Sequence, residues 1–316
     1  MSASPPDPER ILRQLDWTVV RRLDGLLQGD YRTLLRGAGM DLADLREYQL
    51  HDDARHIDWN VTARMPTAHV REHNEDREVT AWFLLDLSPS MDFGSGSVRK
   101  QDVLIEFTAV LARILTRRGN RVGVMAYGGK VDTIIPPKSG RRHVLHILGA
   151  LLSRPTAKAA RATDLSAFLR VGFDVVRRRC LLFVVSDFVS TPGWEEPLSQ
   201  LARRHELLAV RVLDPLEQAL PDLGLLTLQD AETGERLFVD THDKAFRKRF
   251  AQAVDRREQA LRDALQRAGV DALVLSTADD IVGSIVRFSQ LRRRRGRGAP
   301  WTGAGPPAAA ALGARP

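Results

Sequence analysis

The chain holds a single cysteine, Cys180, among 316 residues. One thiol cannot close an intramolecular disulfide and cannot build a thiolate zinc cage. Its surroundings, "CLLFVVSD", are apolar, so it reads as a buried, inert thiol in a strand. Long apolar runs are missing too: no stretch approaches the roughly 18 residues of a membrane span. The opening "MSASPPDPER" has neither the basic nor the apolar region of a signal peptide. These gaps predict a soluble protein of the cytoplasm, without stable membrane insertion. No Gly-x-x-x-x-Gly-Lys-Ser/Thr loop occurs, so the chain is not expected to be a P-loop ATPase, and Gly-x-Ser-x-Gly is also absent. Aromatic residues are few, at 6%.

What remains is ordinary globular composition, 43% hydrophobic and 28% charged, with length for one large domain and an appendage. The net charge of +7 is unevenly placed. From Arg287 onward there are seven arginines and no acid, which leaves 40 basic and 40 acidic groups in the 286 residues before it. The excess therefore lies in Arg287 and in "LRRRRGRGAPWTGAGPPAAAALGARP", which has no periodicity and reads as disordered beyond about Arg295. A solvated tail and an electrostatic contact with an acidic partner or membrane surface are both open. Nucleic-acid binding would rest on the tail alone, because the rest of the chain is neutral, and no nucleic-acid partner is expected.

Hydrophobic spacing gives the order of elements. Ile11, Leu12, Leu15, Val19, Leu23 and Leu26 share one side of an amphipathic helix over residues 8 to 28. A strand from Val79 to Leu85 is followed by a helix with a Val103, Phe107, Val110, Leu111 and Ile114 stripe, then by the strand "RVGVMAY". The alternation continues through "VDTIIPP", helices near 143 to 153 and 165 to 176, "CLLFVVSD", a helix near 195 to 204 and "LLAVRVL". A hairpin over 223 to 241, with a Thr233-Gly234 turn, interrupts it before a charged helix (244 to 267), the strand "DALVLST" and a last helix. This pattern predicts an α/β, Rossmann-like, mostly parallel sheet flanked by helices. Residues 1–78 form a helical and polar extension, 79–289 the main domain and 290–316 the tail.

Ligands of open parallel sheets collect outside the carboxyl ends of the strands. Asp86, in "FLLDLSPSMDFG", and Asp187, in "FVVSDF", both fall at such ends, and "RATDLSAFL" adds Thr163 on a loop before a helix. Carboxylate and hydroxyl oxygens suit a hard cation, which takes about six such ligands when it is magnesium. From a turning loop, Ser88 and Ser90 can aim at one point while Asp86 stands behind as a water-mediated ligand. Helix capping and turn formation are the plain alternative.

The set Asp86, Ser88, Ser90, Thr163 and Asp187 resembles the metal-ion-dependent adhesion site of von Willebrand factor A domains. That resemblance implies Mg2+ (or Mn2+), with one coordination position kept for an acidic residue presented by a partner protein. More narrowly, "GAGMDLADLREYQLHDDARHIDWNVTARMPTAHVRE" running into "DLSPSMDFG" is similar to the bacterial domain-of-unknown-function 58 family, over about residues 37 to 289. Many relatives in that family begin with two membrane helices, so the chain looks like a soluble member. The family resemblance implies company with a MoxR-type AAA+ ATPase, in the maturation or assembly of other proteins. No intrinsic catalysis is expected. A metal-dependent phosphoester hydrolase, with Asp86 as nucleophile or metal ligand, is the alternative, and nucleic-acid binding through the tail a second.

Arg46, Tyr48, Asp52, Asp53, Arg55, Asp58, Trp59, Thr62 and Arg64 are too many polar groups for a linker. They read either as a bracing network of paired Arg and Asp or as a partner surface. "HVREH", His69 to His73, matches a zinc protease signature only if helical. On a strand its histidines would stand about 13 Å apart, and no zinc chemistry is expected. His143 and His146 read as surface or capping residues.

Overall fold

The computed structural model describes residues 7–15, 45–48, 57, 59–62, 67–71, 79–154, 162–229 and 234–295. Its centre is a six-stranded sheet of β3 (Thr80–Asp86), β4 (Arg121–Tyr127), β5 (Val131–Lys138), β6 (Leu181–Ser186), β7 (Glu206–Leu213) and β10 (Asp271–Ser276). The spatial order is β10-β7-β6-β3-β4-β5, and every pairing is parallel except β4 with β5. β6 is buried along its whole length and β3 from its second residue on, as expected of strands covered on both faces. The edge strand β5 instead alternates exposed and sheltered residues and ends in Pro136, Pro137 and Lys138. Two prolines and a lysine leave that edge poorly able to pair with another chain. This is the mostly parallel sheet flanked by helices that both the pattern and the von Willebrand A resemblance imply.

Helices cover both faces. On one lie α3 (Lys100–Arg117), α4 (Arg141–Leu152) and α9 (Ile281–Arg295), around Phe83, Phe107 and Phe183. Phe83 stacks on Phe183 at 4.7 Å, and Phe107 meets both rings edge-on. On the other lie α5 (Leu165–Val175), α6 (Glu195–Arg204) and the carboxyl-terminal part of α8 (Lys244–Arg267), around Trp82, Leu84, Phe168, Leu198 and Leu265. Each such side chain contributes about 1.5–3 kcal/mol on burial. At Gly123 an added Cβ would lie 2.9 Å from the Trp82 ring, so the aromatic packs where the backbone has no side chain. α8 buries only Leu261, Ala264 and Leu265, so its amino-terminal part is polar and exposed. Asp243 caps it, and Gly269, at φ +66°, takes the left-handed turn after it.

The remaining elements are small. α1 (Pro8–Leu15) buries Leu12 in the first core, while residues 16 to 28 of the predicted opening helix lie outside the described residues. β1 (Leu45–Glu47) and β2 (His69–Arg71) form an antiparallel pair, with the short α2 (Trp59–Thr62) between them in sequence. β7 leads through α7 (Pro215–Gln218) to an antiparallel hairpin, β8 (Leu225–Gln229) and β9 (Arg236–Asp240). α9 runs to Arg295. Among the described residues no helix is long and apolar enough to cross a membrane.

Candidate functional site

After β3 the chain builds outward to β4 and β5, then returns to place β6 on the other side of β3. The crevice at the carboxyl ends of β3 and β6 is therefore where the winding reverses, the place at which such sheets take ligands. Asp86 ends β3 and Ser186 ends β6, with Asp187 directly after it.

Asp86 is fully buried. Its Oδ1 accepts from the Ser88 backbone N–H at 3.0 Å and its Oδ2 from the Ser186 hydroxyl at 2.6 Å. Burial, and next the nearby Asp187 carboxylate, push its pKa up to about 7 against the lowering effect of those bonds. Ser88 precedes a single turn of 3-10 helix, Pro89–Asp92, in an extended conformation, and its side chain makes no capping bond. Instead its Oγ lies 3.1 Å from Ser90 Oγ. The plain capping role expected of these hydroxyls thus does not account for Ser88. Behind them the chain turns back so tightly that a Cβ at Gly94 would meet the Val98 carbonyl oxygen at 2.3 Å. Only glycine fits at that close approach.

Thr163 is buried, and here too capping falls elsewhere, since the Asp164 side chain accepts from Ala167 N–H at 2.9 Å and starts α5. The Thr163 carbonyl accepts from Thr191 N–H and from Ser190 Oγ, each at 3.0 Å. Tyr127, at the end of β4, accepts from the Asp164 N–H at 3.1 Å. The Thr163 loop is thereby tied to the segment after Asp187 and to the end of β4. The Asp187 Oδ1 accepts from Val189 N–H at 2.9 Å. Between them Phe188 takes φ 57°, the one described non-glycine residue with positive φ, and its N–H donates to Ser186 Oγ. Left-handed backbone at a bulky residue costs on the order of 1–3 kcal/mol and concentrates at functional sites.

The sequence reading missed Lys100. Its ammonium donates to Asp187 Oδ2 at 2.7 Å and to Glu217 Oε1 at 2.6 Å, and the side chain is fully buried. Burial works to lower its pKa, but Asp187 and Glu217 outweigh that and the net direction is upward, so it stays charged. Glu217 is fixed in turn by Asp214 N–H at 3.0 Å, and Asp214 Oδ2 accepts from Ser95 N–H and from the Thr277 hydroxyl. Only the structure sets Lys100 at the start of the helix, where a lysine opposes the helix dipole.

The donors here are carboxylate and hydroxyl oxygens, the chemistry a hard cation takes. The two carboxylates already accept hydrogen bonds that fix their orientation, and the serine hydroxyls stand 3.1 Å apart. Neighbouring oxygens around magnesium, each about 2.1 Å from the ion, lie about 3 Å apart. Among the described residues no group of three or more His, Cys, Asp or Glu could hold a metal.

Other sequence candidates stand apart. Arg46 pairs with Val70 in the β1–β2 ladder, Tyr48 N–H donates to the Ala68 carbonyl, and Trp59 is largely exposed at the start of α2. Asp52, Asp53, Arg55, Asp58 and Arg64 lie outside the described residues. His69 lies in a strand, not a helix, and His143 Nε2 bonds the Val122 carbonyl at 2.7 Å.

Residues 44–260 match the family described as "Protein of unknown function DUF58", and the chain belongs to it. An uncharacterised protein of Mycobacterium tuberculosis is 38% identical over 284 residues, 90% of this chain and 89% of that protein. Among solved structures, the conserved hypothetical protein BatB from Bacteroides thetaiotaomicron covers 68% of this chain and 99% of its own, at 13% identity and a TM-score of 0.44. The VWA domain of SpRpn10 covers 66% and 94%, at 11% identity and a TM-score of 0.37. Both scores fall below 0.5, so the fold rests on the chain's own sheet order.

Proposed function

We propose that this family member is a protein-binding adaptor whose contact with its partner depends on a divalent cation. Ser88, Ser90 and Thr163 would hold Mg2+ or Mn2+ through their hydroxyls, and Asp86 and Asp187 would hold its waters. The ion would supply an open coordination position for an acidic side chain of a client protein. Phe93 and Val98, partly exposed on the loop after the cluster, offer apolar surface beside that contact. Such a bond exchanges with water and is reversible, which suits a transient adaptor of the cytoplasm working with a MoxR-type AAA+ ATPase. The observation that carries the reading is the uncapped Ser88 hydroxyl beside Ser90, in front of a fully buried Asp86 at the reversal of the sheet.

The hydrolase alternative with Asp86 as nucleophile asks it to attack phosphorus, yet Asp86 has no exposed surface and both its oxygens accept hydrogen bonds, which leaves the form with Asp86 as a metal ligand to the turnover test below. A nucleophile needs an open approach. Calorimetric titration of Mg2+ and Mn2+ tests the adaptor reading, on wild type and on a Ser88→Ala, Ser90→Ala double variant checked by circular dichroism. Wild type is expected to bind and the folded double variant to lose binding. Equal behaviour of the two would remove the reading's main support, and magnesium-dependent turnover of a generic phosphoester, abolished in Asp86→Asn, would replace it with hydrolysis.

A further inference from the structure

Lys100 sits where neither its helix nor its burial favours it. As the first residue of α3 it meets the positive end of the helix dipole, and as a fully buried ammonium it has lost its hydration. An apolar residue there would serve the helix and the core better. Its place depends on two carboxylates distant in sequence, Asp187 at 2.7 Å and Glu217 at 2.6 Å. A local rule broken at such a place marks a functional constraint. Asp187 is also one of the five residues of the candidate metal site, so one of its two carboxylates is already engaged by a fixed cation.

We infer that Lys100 is a built-in counter-cation, which keeps the site assembled without a divalent ion and sets how weakly the site takes one up. The inference rests on the metal-site reading above. Held by Lys100 on Oδ2 and by Val189 N–H on Oδ1, Asp187 keeps its orientation whether or not an ion is bound. The same ammonium opposes an arriving dication, because charges of like sign a few ångströms apart inside a protein interact strongly. Glu217 shares the load: an ion's waters can take the remaining lone pairs of Asp187 while Lys100 stays on Asp187 and on Glu217, which the Asp214 N–H holds in position at 3.0 Å. The adaptor would then bind its partner only where divalent cation is plentiful, and its fold would not depend on the ion.

Calorimetry with Mn2+ and Mg2+ on wild type and on Lys100→Met, Lys100→Gln and Lys100→Arg tests this, with chemical denaturation of each in EDTA and in excess Mn2+. The two neutral variants are expected to bind Mn2+ at least about tenfold more tightly than wild type. They should lose stability in EDTA and regain it with Mn2+, while Lys100→Arg, which keeps the charge, stays close to wild type. Equal or weaker binding by the folded neutral variants overturns the inference. So does their failure to fold even in excess Mn2+, since the ion then cannot take over the lysine's charge. Loss of binding in Ser88→Ala, Ser90→Ala with no effect of Lys100 substitution refutes only the role of Lys100. Unchanged binding in that double variant refutes the metal site itself.

Discussion

β6 has a buried polar cluster at each end, and the two ends solve the problem of burial in opposite ways. Just before the strand, Cys180 Sγ lies 3.5 Å from His205 Nδ1. Just after it, Asp187 meets Lys100. A thiol beside an imidazole looks like a nucleophile with its base, but burial pushes the Cys180 thiol up to about 12, against a lowering effect of Arg204. Burial, then Arg204, pulls His205 down to about 4. Both groups are neutral near pH 7, and no counter-ion is required. At the carboxyl end the Lys100 ammonium stays charged in the core, held between the Asp187 and Glu217 carboxylates. Polarity in the core is thus disposed of at one end and retained at the other, and the retained end is the one that coincides with the reversal of the sheet.

The largest expected effect comes from breaking the charged end. Asp187→Ala leaves the Lys100 ammonium buried with Glu217 alone, and removing one partner of a buried pair costs on the order of 3 kcal/mol. A shift of the urea midpoint corresponding to that loss is expected. A loss no larger than that of an ordinary surface substitution would mean that Lys100 reaches water once Asp187 is gone, and the contrast between the two ends would weaken.

The neutral end predicts a smaller and pH-dependent effect. His205 is neutral in the fold down to about pH 4, while in the unfolded chain it takes up a proton below its ordinary value of 6.5. Between those values the unfolded state binds the extra proton, so its contribution to stability is complete above pH 6.5 and is lost as pH falls toward 4. Its size is on the order of 2–3 kcal/mol across that window. The difference in unfolding free energy between wild type and His205→Gln, followed over pH, should show that slope. If the two profiles run parallel, the acid sensitivity lies in other groups.

How much of this was legible in the sequence depends on how far apart the interacting residues are. The sheet was legible, because strands buried on both faces are unbroken apolar runs such as "CLLFVVSD". Asp86, Ser88 and Ser90 were legible as a local pattern, and Asp187 as a second strand end. Lys100 was not, because its partners lie 87 and 117 residues away, and the charge of one lysine among 47 basic residues carries no mark of burial. Ser186 was hidden in the same way: it reads as the last residue of a strand, and only the pairing of β6 with β3 sets its hydroxyl on Asp86. The Cys180 thiol was expected to be inert from its apolar neighbours, but His205, 25 residues on, could not be assigned to it without the register of β6 and β7.

The smallest effect is a near absence of reaction, and it tests the neutral end most directly. A thiol with its pKa pushed to about 12 and almost no exposed surface has little thiolate at neutral pH and no approach for a reagent. Cys180 is therefore expected to resist a disulfide-exchange reagent in the native protein at pH 8 and to react fully in denaturant. Its labelling rate should follow unfolding of the whole domain, so Asp187→Ala, by destabilising the far end of β6, should accelerate it even though that residue stands beyond the other end of the strand. Rapid labelling of the native wild type would show that His205 activates the thiol rather than shares its burial, and the two ends of β6 would then both be chemically active.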